Sequence, residues 1–299
     1  MFKSVIHIGA NKTGSTTLQR HLFSSNDKIV YLGEDCSNYE TYQRDLNALI
    51  SSDDLFFDFQ SVKSIFDDLR SSVKKDQTFV FSNEDIVTSN IPSVCAKRLF
   101  TLMPDAQILI VLRNQLTAIP SWYTNHGAFL RNVPHLYWKR YVPFDDWMEY
   151  CFNFLENSPL SGFFYHKHIQ LYSDLFGQDR INILLYEDLI NDRNKFIDQM
   201  ASIFQLSSKV MSKALEQKYE RKRFSASYLL FNKIRSRFLP ELPLSAFPNV
   251  LREGKSDVTI PIDKWKNKIC DLFKEGNTTI ANGFNIDLQK YKYPLETSL

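Results

Sequence analysis

The stretch IHIGANKTGSTTLQRHL, residues 6–22, carries an apolar, strand-like run into Gly9, a second glycine at Gly14, three hydroxyls at Ser15, Thr16 and Thr17, and then a helical pattern. A strand that ends in glycine, turns tightly and opens a helix aims backbone N–H groups and the positive end of a helix dipole at one point, which makes an anion trap. The phosphate-cradling loop of the Walker type reads G-x-x-x-x-G-K-[ST]. Gly9, Gly14 and Thr16 fall in place, but the lysine slot holds Ser15 and the cation comes three residues earlier, as Lys12. A plain strand-turn-helix with a solvated lysine is the simpler account. Two spaced glycines, a cation and three hydroxyls directly after a strand favour an anion site.

Working outward, Ser4–Ile8 reads as a strand and Gly14–Phe23 as the helix that follows the loop. Ile29–Leu32 is a weaker strand, and Thr78–Phe81, Ala106–Leu112 and Ile181–Leu185 are near-continuous apolar runs of strand length. Continuous apolarity, in place of alternation, suits strands covered on both faces by helices, hence a mainly parallel sheet. Gln60–Val73 places Val62, Ile65, Phe66 and Leu69 on one helical face. The pattern after Leu189 is helical, with Phe196, Met200, Ile203 and Phe204 on one face and Pro240, Pro243 and Pro248 marking an irregular loop. The expected architecture is one α/β domain over residues 1–299, a P-loop-like three-layer fold. It carries an aromatic, basic, helical insertion at 122–170 and a helical C-terminal part at 189–299.

With 36 basic against 34 acidic residues, the net charge of +2 leaves no global field to attract nucleic acid or an anionic membrane. Any anion site is therefore local. No stretch approaches the roughly 20 apolar residues that span a bilayer, and Met1-Phe2-Lys3 leads straight into a strand without a secretory signal, so a cytoplasmic location is expected. Cys36, Cys95, Cys151 and Cys270 lie far apart without metal-ligand spacing and read as reduced thiols; no metal site is expected.

An ATP-dependent kinase would use the lysine after the second glycine and a Walker B carboxylate for magnesium. The lysine is displaced, and no buried strand ends in an apolar run followed by Asp. A ligand with a single 5′-phosphate bearing its leaving group needs less wrapping. In ILIVLRNQLTAIPSWY, residues 108–123, Arg113 follows a buried strand, where ligands bind in open α/β sheets, and its planar fork suits phosphate; Ser121 comes eight residues later. The plainer alternatives are a surface ion pair for Arg113 and a helix-surface position for Ser121.

The segment NKTGSTTL resembles the 5′-phosphosulfate loop of sulfotransferases that use 3′-phosphoadenosine 5′-phosphosulfate (PAPS), whose common core is Lys-[ST]-Gly-[ST]-[ST]. The resemblance implies that Lys12 contacts the bridging oxygen and 5′-phosphate, while Asn11, Thr13, Gly14, Ser15, Thr16 and Thr17 supply loop contacts. The spacing from Arg113 to Ser121 matches the family's 3′-phosphate motif, although Gln115 stands where many members carry proline, and Pro120 directly precedes Ser121, where a kink is expected in preference to a break. INILLYEDLINDRNKFIDQMASIFQL, residues 181–206, is similar to the family's strand, Y-E-D-L, helix segment, with Tyr186 among the implied cofactor contacts. The terminal IDLQKYKYP resembles the ends of bacterial members. Arg221 and Arg223 in YERKRFSAS are further implied contacts near the 3′-phosphate, or else a solvated charge run.

The family's reaction moves a sulfuryl group to an acceptor hydroxyl, which must lose a proton. FVFSNEDI, residues 79–86, ends a buried strand with Glu84 and Asp85 just past it. Carbohydrate sulfotransferases commonly use a glutamate near this strand end, so Glu84 is the expected general base. The alternative is a capping pair of Ser82 with Asp85, with Glu84 merely favoured by the helix dipole. His126 is the competing base, and His7, inside the first strand, reads as structural. Trp122, His126, Arg131, Trp138 and Arg140 are the expected acceptor contacts: rings for sugar C–H faces, cations for carboxylates. The expected acceptor is a glycan or glycolipid, with peripheral contact to a lipid-linked acceptor, and the expected product is 3′-phosphoadenosine 5′-phosphate. A P-loop kinase using ATP and magnesium is the alternative.

Overall fold

Five parallel strands carry the fold of this computed structural model: β1 (Lys3–His7), β2 (Ile29–Gly33), β3 (Thr78–Ser82), β4 (Gln107–Leu112) and β5 (Ile181–Leu185), in the order β2-β3-β1-β4-β5. The structure describes residues 3–10, 12–34, 36, 39–124, 141–215, 223–239, 241–243, 246–248, 251, 253–254 and 260–296. Backbone contacts divide the chain into two compact units, Met1–Arg113 with Phe164–Lys218, and Asn114–Phe163 with Tyr219–Leu299.

The first unit holds the whole five-stranded sheet. All five expected strands are present, shifted by at most one residue at an end. Side chains alternate across each strand, and the register lines up their apolar members. Val5, Val80, Leu109, Val111 and Leu184 face one way, with Leu18, Leu22 and Phe23 and with Phe196, Met200 and Phe204. Phe79 and Phe81 face the other way and meet Phe66 at ring distances of 6.0 and 5.3 Å. Both faces are covered, as continuous apolarity demands.

The segment after the β1 turn is α1 (Ser15–Thr17), continued by a wider π-helical stretch over Leu18–Phe23. Beyond β2 come α2 (Tyr39–Ser51) and α3 (Phe59–Ser71); α3 is capped by the Asp58 side chain, which accepts from Ser61 N at 3.0 Å. A short 3₁₀ turn, Glu84–Ile86, follows β3 and leads to α4 (Pro92–Leu102).

The second unit contains α5 (Gln115–Trp122) and α6 (Phe144–Asn153). In the first unit α7 (Tyr165–Phe176) precedes β5, and α8 (Tyr186–Asn191), α9 (Arg193–Phe204) and α10 (Ser208–Leu215) follow it. The second unit resumes with the short antiparallel pair β6 (Arg223–Phe224) and β7 (Glu253–Gly254), with α11 (Ala226–Phe238) between them in the chain, and ends with α12 (Asp263–Phe284). Pro120 lies inside α5 without ending it. Among the described residues, no helix is long and apolar enough to cross a membrane.

Gln115 has a structural reason to stand where the family often carries proline. Its buried amide exchanges both hydrogen bonds with Asn277 of α12, at 2.9 and 3.1 Å, and Asn277 also donates to Pro294 O at 3.0 Å. Beside it, Asn114 Nδ2 donates to Tyr291 O and Lys292 O at 2.9 and 2.8 Å. The terminal IDLQKYKYP segment is thus bound to the start of α5 by amide side chains.

Arg98 in α4 is only 5 % exposed. Its guanidinium donates to Ala48 O and Leu49 O near the C-terminal end of α2 at 3.3 and 3.1 Å, pairs with Asp54 at 2.5 Å and lies 3.8 Å from the Phe57 ring centroid. It answers carbonyls that a helix end leaves without partners. Removing it strands those carbonyls in a buried setting, so Arg98→Ala is expected to cost about 3 kcal/mol, read as a lowered midpoint of urea unfolding.

Candidate active site

Because β3, β1, β4 and β5 are parallel neighbours, their C-terminal ends share one rim. Along it stand Glu84, the turn between Gly9 and Gly14, Arg113 and Tyr186, in that order. The chain leaves β1 toward β2 and leaves β4 toward β5, so β1 and β4 flank the switch point where open α/β sheets take their ligands. Lys12 and Arg113, 101 positions apart, meet there.

The turn contains two left-handed residues, Lys12 at φ 69° and Gly14 at φ 89°. At Gly14 the conformation suits glycine, and a Cβ would sit 3.0 Å from Leu189 Cδ2 and 3.4 Å from the Tyr186 ring. At Gly9 a Cβ would come to 3.1 Å from the His7 ring and 3.2 Å from Ser15 Oγ. The Arg113 guanidinium donates from Nη1 to Lys12 O at 2.8 Å and lies 4.7 Å from the centroid of Tyr186. Its own carbonyl accepts from the Tyr165 hydroxyl at 2.9 Å.

The hydroxyls expected as ligand donors divide into three kinds. Thr13 Oγ1 donates to Ala10 O at 2.5 Å, and Ser15 Oγ reaches the same carbonyl at 3.4 Å, so both brace the turn. Thr16 is exposed. Thr17 Oγ1 is buried and has no hydrogen-bond partner among the described residues. An orphaned hydroxyl, glycines that keep the turn tight and two cations at its mouth fit a phosphate-bearing ligand such as PAPS. Asn11, the other expected loop contact, lies outside the described residues.

Glu84 sits one strand over. Its side chain accepts from the Thr16 hydroxyl and faces Lys12, Glu34 and Asp85. Desolvation is the largest influence on it, followed by the charge of Glu34; Lys12 and Thr16 pull the other way, and the carboxyl is pushed up from 4.5 to about 7. Burial raises Asp85 as well. The capping alternative resolves differently from the expected pair. Asn83 is the cap, its side chain accepting from Asp85 N at 2.7 Å, whereas Ser82 Oγ is 2.8 Å from His7 Nδ1 and accepts from Gln19 Nε2 at 3.1 Å. His7 is fully buried, and burial lowers it to about 4, so it remains neutral. The charge beside Glu84 that sequence reading missed, Glu34, follows the end of β2, and Tyr39 at the start of α2 lies in the field of Glu34 and Asp85. Nothing local in the sequence marks them, since β2 reaches Glu84 only through its pairing with β3.

Trp122 is a correction. Expected as a platform for a sugar, the ring is 2 % exposed and stacks on Trp147 at 5.7 Å and 22°, within the aromatic core of the second unit. Ser121 lies on α5 in that unit, partly exposed. His126, Arg131, Trp138, Arg140 and Arg221 fall outside the described residues, as does the side chain of Arg223.

A family model described as "Sulfotransferase domain" matches residues 3–227. The fold is similar to the crystal structure of a sulfotransferase from Alicyclobacillus acidocaldarius, with a TM-score of 0.59 and 14 % identity over 98 % of this chain and 99 % of that one. No curated protein matches the chain closely enough to count as a relative.

Two outcomes follow from this geometry. Gly14→Ala forces a Cβ onto a left-handed residue against Leu189 and is expected to cost about 1–3 kcal/mol, measured by urea unfolding. A carboxyl whose folded pKa lies above its unfolded value binds extra protons in the native state, so its favourable contribution exists below 4.5 and is lost as pH rises through about 7. Glu84→Gln is therefore expected to melt higher than the parent above that range and to converge with it below 4.5, in paired thermal melts across pH.

Proposed function

The chain belongs to the sulfotransferase domain family, and from that premise we propose that it transfers the sulfuryl group of PAPS to a hydroxyl of a glycan or glycolipid acceptor, with Glu84 as the general base. The observation that carries the reading is the placement of Lys12 and Glu84 within each other's field at the rim, with the Glu84 carboxyl held at about 7. A base with that pKa is ionised often enough at neutral pH to act and is basic enough to draw a proton from a hydroxyl.

PAPS, when bound, supplies an activated sulfuryl group on a 5′-phosphate leaving group. Lys12 and the turn hold that phosphate and offset the charge that develops on it. Thr17 Oγ1 gains in such a ligand a partner that it lacks among the described residues. Arg113 clamps Lys12 O and so fixes the turn, and with Tyr186 it serves the 3′-phosphate end. The Glu84 carboxylate takes the acceptor's proton, and Thr16 orients that carboxylate. The glycan or glycolipid choice rests on the glutamate base and on the aromatic and basic content of residues 123–141.

Calorimetry with 3′-phosphoadenosine 5′-phosphate against ATP and magnesium separates this reading from a P-loop kinase. Tight binding of the former without metal is expected, and a magnesium-dependent preference for ATP would sink it. With labelled PAPS and an oligosaccharide panel, Lys12→Ala is expected to lower kcat about 10²–10³-fold. Glu84→Gln is expected to lower it about 10²–10⁴-fold. In the parent, kcat/KM rises with pH up to about 7 and then levels, as Glu84 ionises, opposed by burial, Glu34 and Asp85 and favoured by Lys12. That limb disappears in Glu84→Gln.

A further inference from the structure

Helix α11, Ala226–Phe238, in the second unit exposes large apolar side chains. Its buried face carries polar side chains beside Tyr228, which is 5 % exposed: Asn232, Arg235 and Ser236 are 1, 6 and 5 % exposed. Asn232 Nδ2 donates to Tyr228 O at 2.9 Å and Ser236 Oγ to Lys233 O at 3.2 Å within the helix, and Arg235 Nη1 donates to Leu242 O at 2.9 Å just beyond it. The outer face carries Leu230, Ile234 and Phe238 at 57, 48 and 68 % exposure, with Leu239 just beyond at 56 %. A spacing of four residues lines the first three into one stripe along the helix. Beside the stripe stand two exposed cations. Lys233 lies over the Tyr141 ring at 5.4 Å and Arg237 over Phe238 at 5.4 Å, and the helix sequence ASYLLFNKIRSRF contains no acidic residue.

An apolar stripe of this kind on a soluble surface marks an interaction site, and its charge selects the occupant. In an isologous dimer the same patch meets itself, which would gather the Lys233 and Arg237 cations of both copies around an apolar seam with no carboxylate on either helix to pair them. A bilayer bearing anionic lipids answers both features, with acyl chains for the stripe and headgroups for the cations. We propose that α11 is a membrane-docking surface that seats Leu230, Ile234 and Phe238 in the interfacial layer of an anionic bilayer, with Lys233 and Arg237 on its headgroups. The docking does not depend on the sulfuryl-transfer reading.

The test is flotation of the full chain with vesicles of phosphatidylcholine alone and of phosphatidylcholine with phosphatidylglycerol. The chain is expected to float with the mixed vesicles and to be released by salt. Replacing both cations, Lys233→Gln with Arg237→Gln, is expected to lower partitioning roughly fivefold per cation. The triple change Leu230→Ser, Ile234→Ser and Phe238→Ser is expected to abolish it. All five residues are exposed, and an unchanged urea midpoint verifies that the variants fold. The proposal is overturned if the chain ignores both vesicles, if it floats equally with the neutral ones, or if the triple change leaves flotation intact. It is also overturned if light scattering finds a dimer that does not float and that the triple change dissolves.

Discussion

A non-glycine residue in left-handed backbone is uncommon and is kept only where its surroundings over-determine it. Lys12, at φ 69°, is such a residue, and the hydrogen bond from Arg113 to its carbonyl is the restraint that holds it. The bond ties the end of β4 to the turn after β1 at the point where the chain's connections diverge. From it follow the direction of the Lys12 side chain toward Glu84, the tight path through Gly14 and the approach of Tyr186. Arg113 is in turn held by the Tyr165 hydroxyl on its carbonyl. The fork therefore does structural duty at the same rim where the family resemblance assigns it a phosphate, and one residue serves both because a guanidinium presents several donors in fixed directions.

Glu84 shows how such a rim sets a proton affinity without a dedicated partner. Two like charges, Glu34 and Asp85, and a weakly solvated setting oppose ionisation, while Lys12 and the Thr16 hydroxyl favour it. The balance falls near neutrality because no single cation dominates. A bidentate arginine in place of Lys12 would pull the carboxyl down and leave a weaker base. A group poised in this way costs the fold stability at the pH where it is ionised, which is the usual relation between a functional site and the scaffold that carries it.

Much of this was legible in the primary structure, and the parts that were not share a cause. The strands announced themselves as short continuous apolar runs, and α3 as a periodic face. Helix α2 went unread because its first half, YETYQRD, is polar and its buried residues Leu46, Leu49 and Ile50 come only in the last turns. Helix α4 begins at Pro92 with no capping side chain. Asn83 took the cap because Ser82, paired across the sheet with His7, spends its hydroxyl on that histidine and on Gln19. Trp122 read as a ligand platform since an aromatic cluster has the same composition whether it faces a sugar or packs against Trp147.

Taken alone, the residue order determined what depends on neighbours along the chain: the strand-turn-helix with its glycines and displaced lysine, the parallel sheet implied by doubly covered strands, and the placement of Arg113 and Glu84 at strand ends. Only the tertiary structure decided what depends on neighbours across it. The strand order β2-β3-β1-β4-β5 sets Glu34 beside Glu84 and brings Arg113 onto Lys12, and packing sorts the rings of the second unit into core and leaves Leu230, Ile234 and Phe238 of α11 exposed. Periodicity along a chain specifies which face of an element is alike, but which partner covers that face is fixed by long-range pairing, whose free energy appears only once the sheet has closed its register.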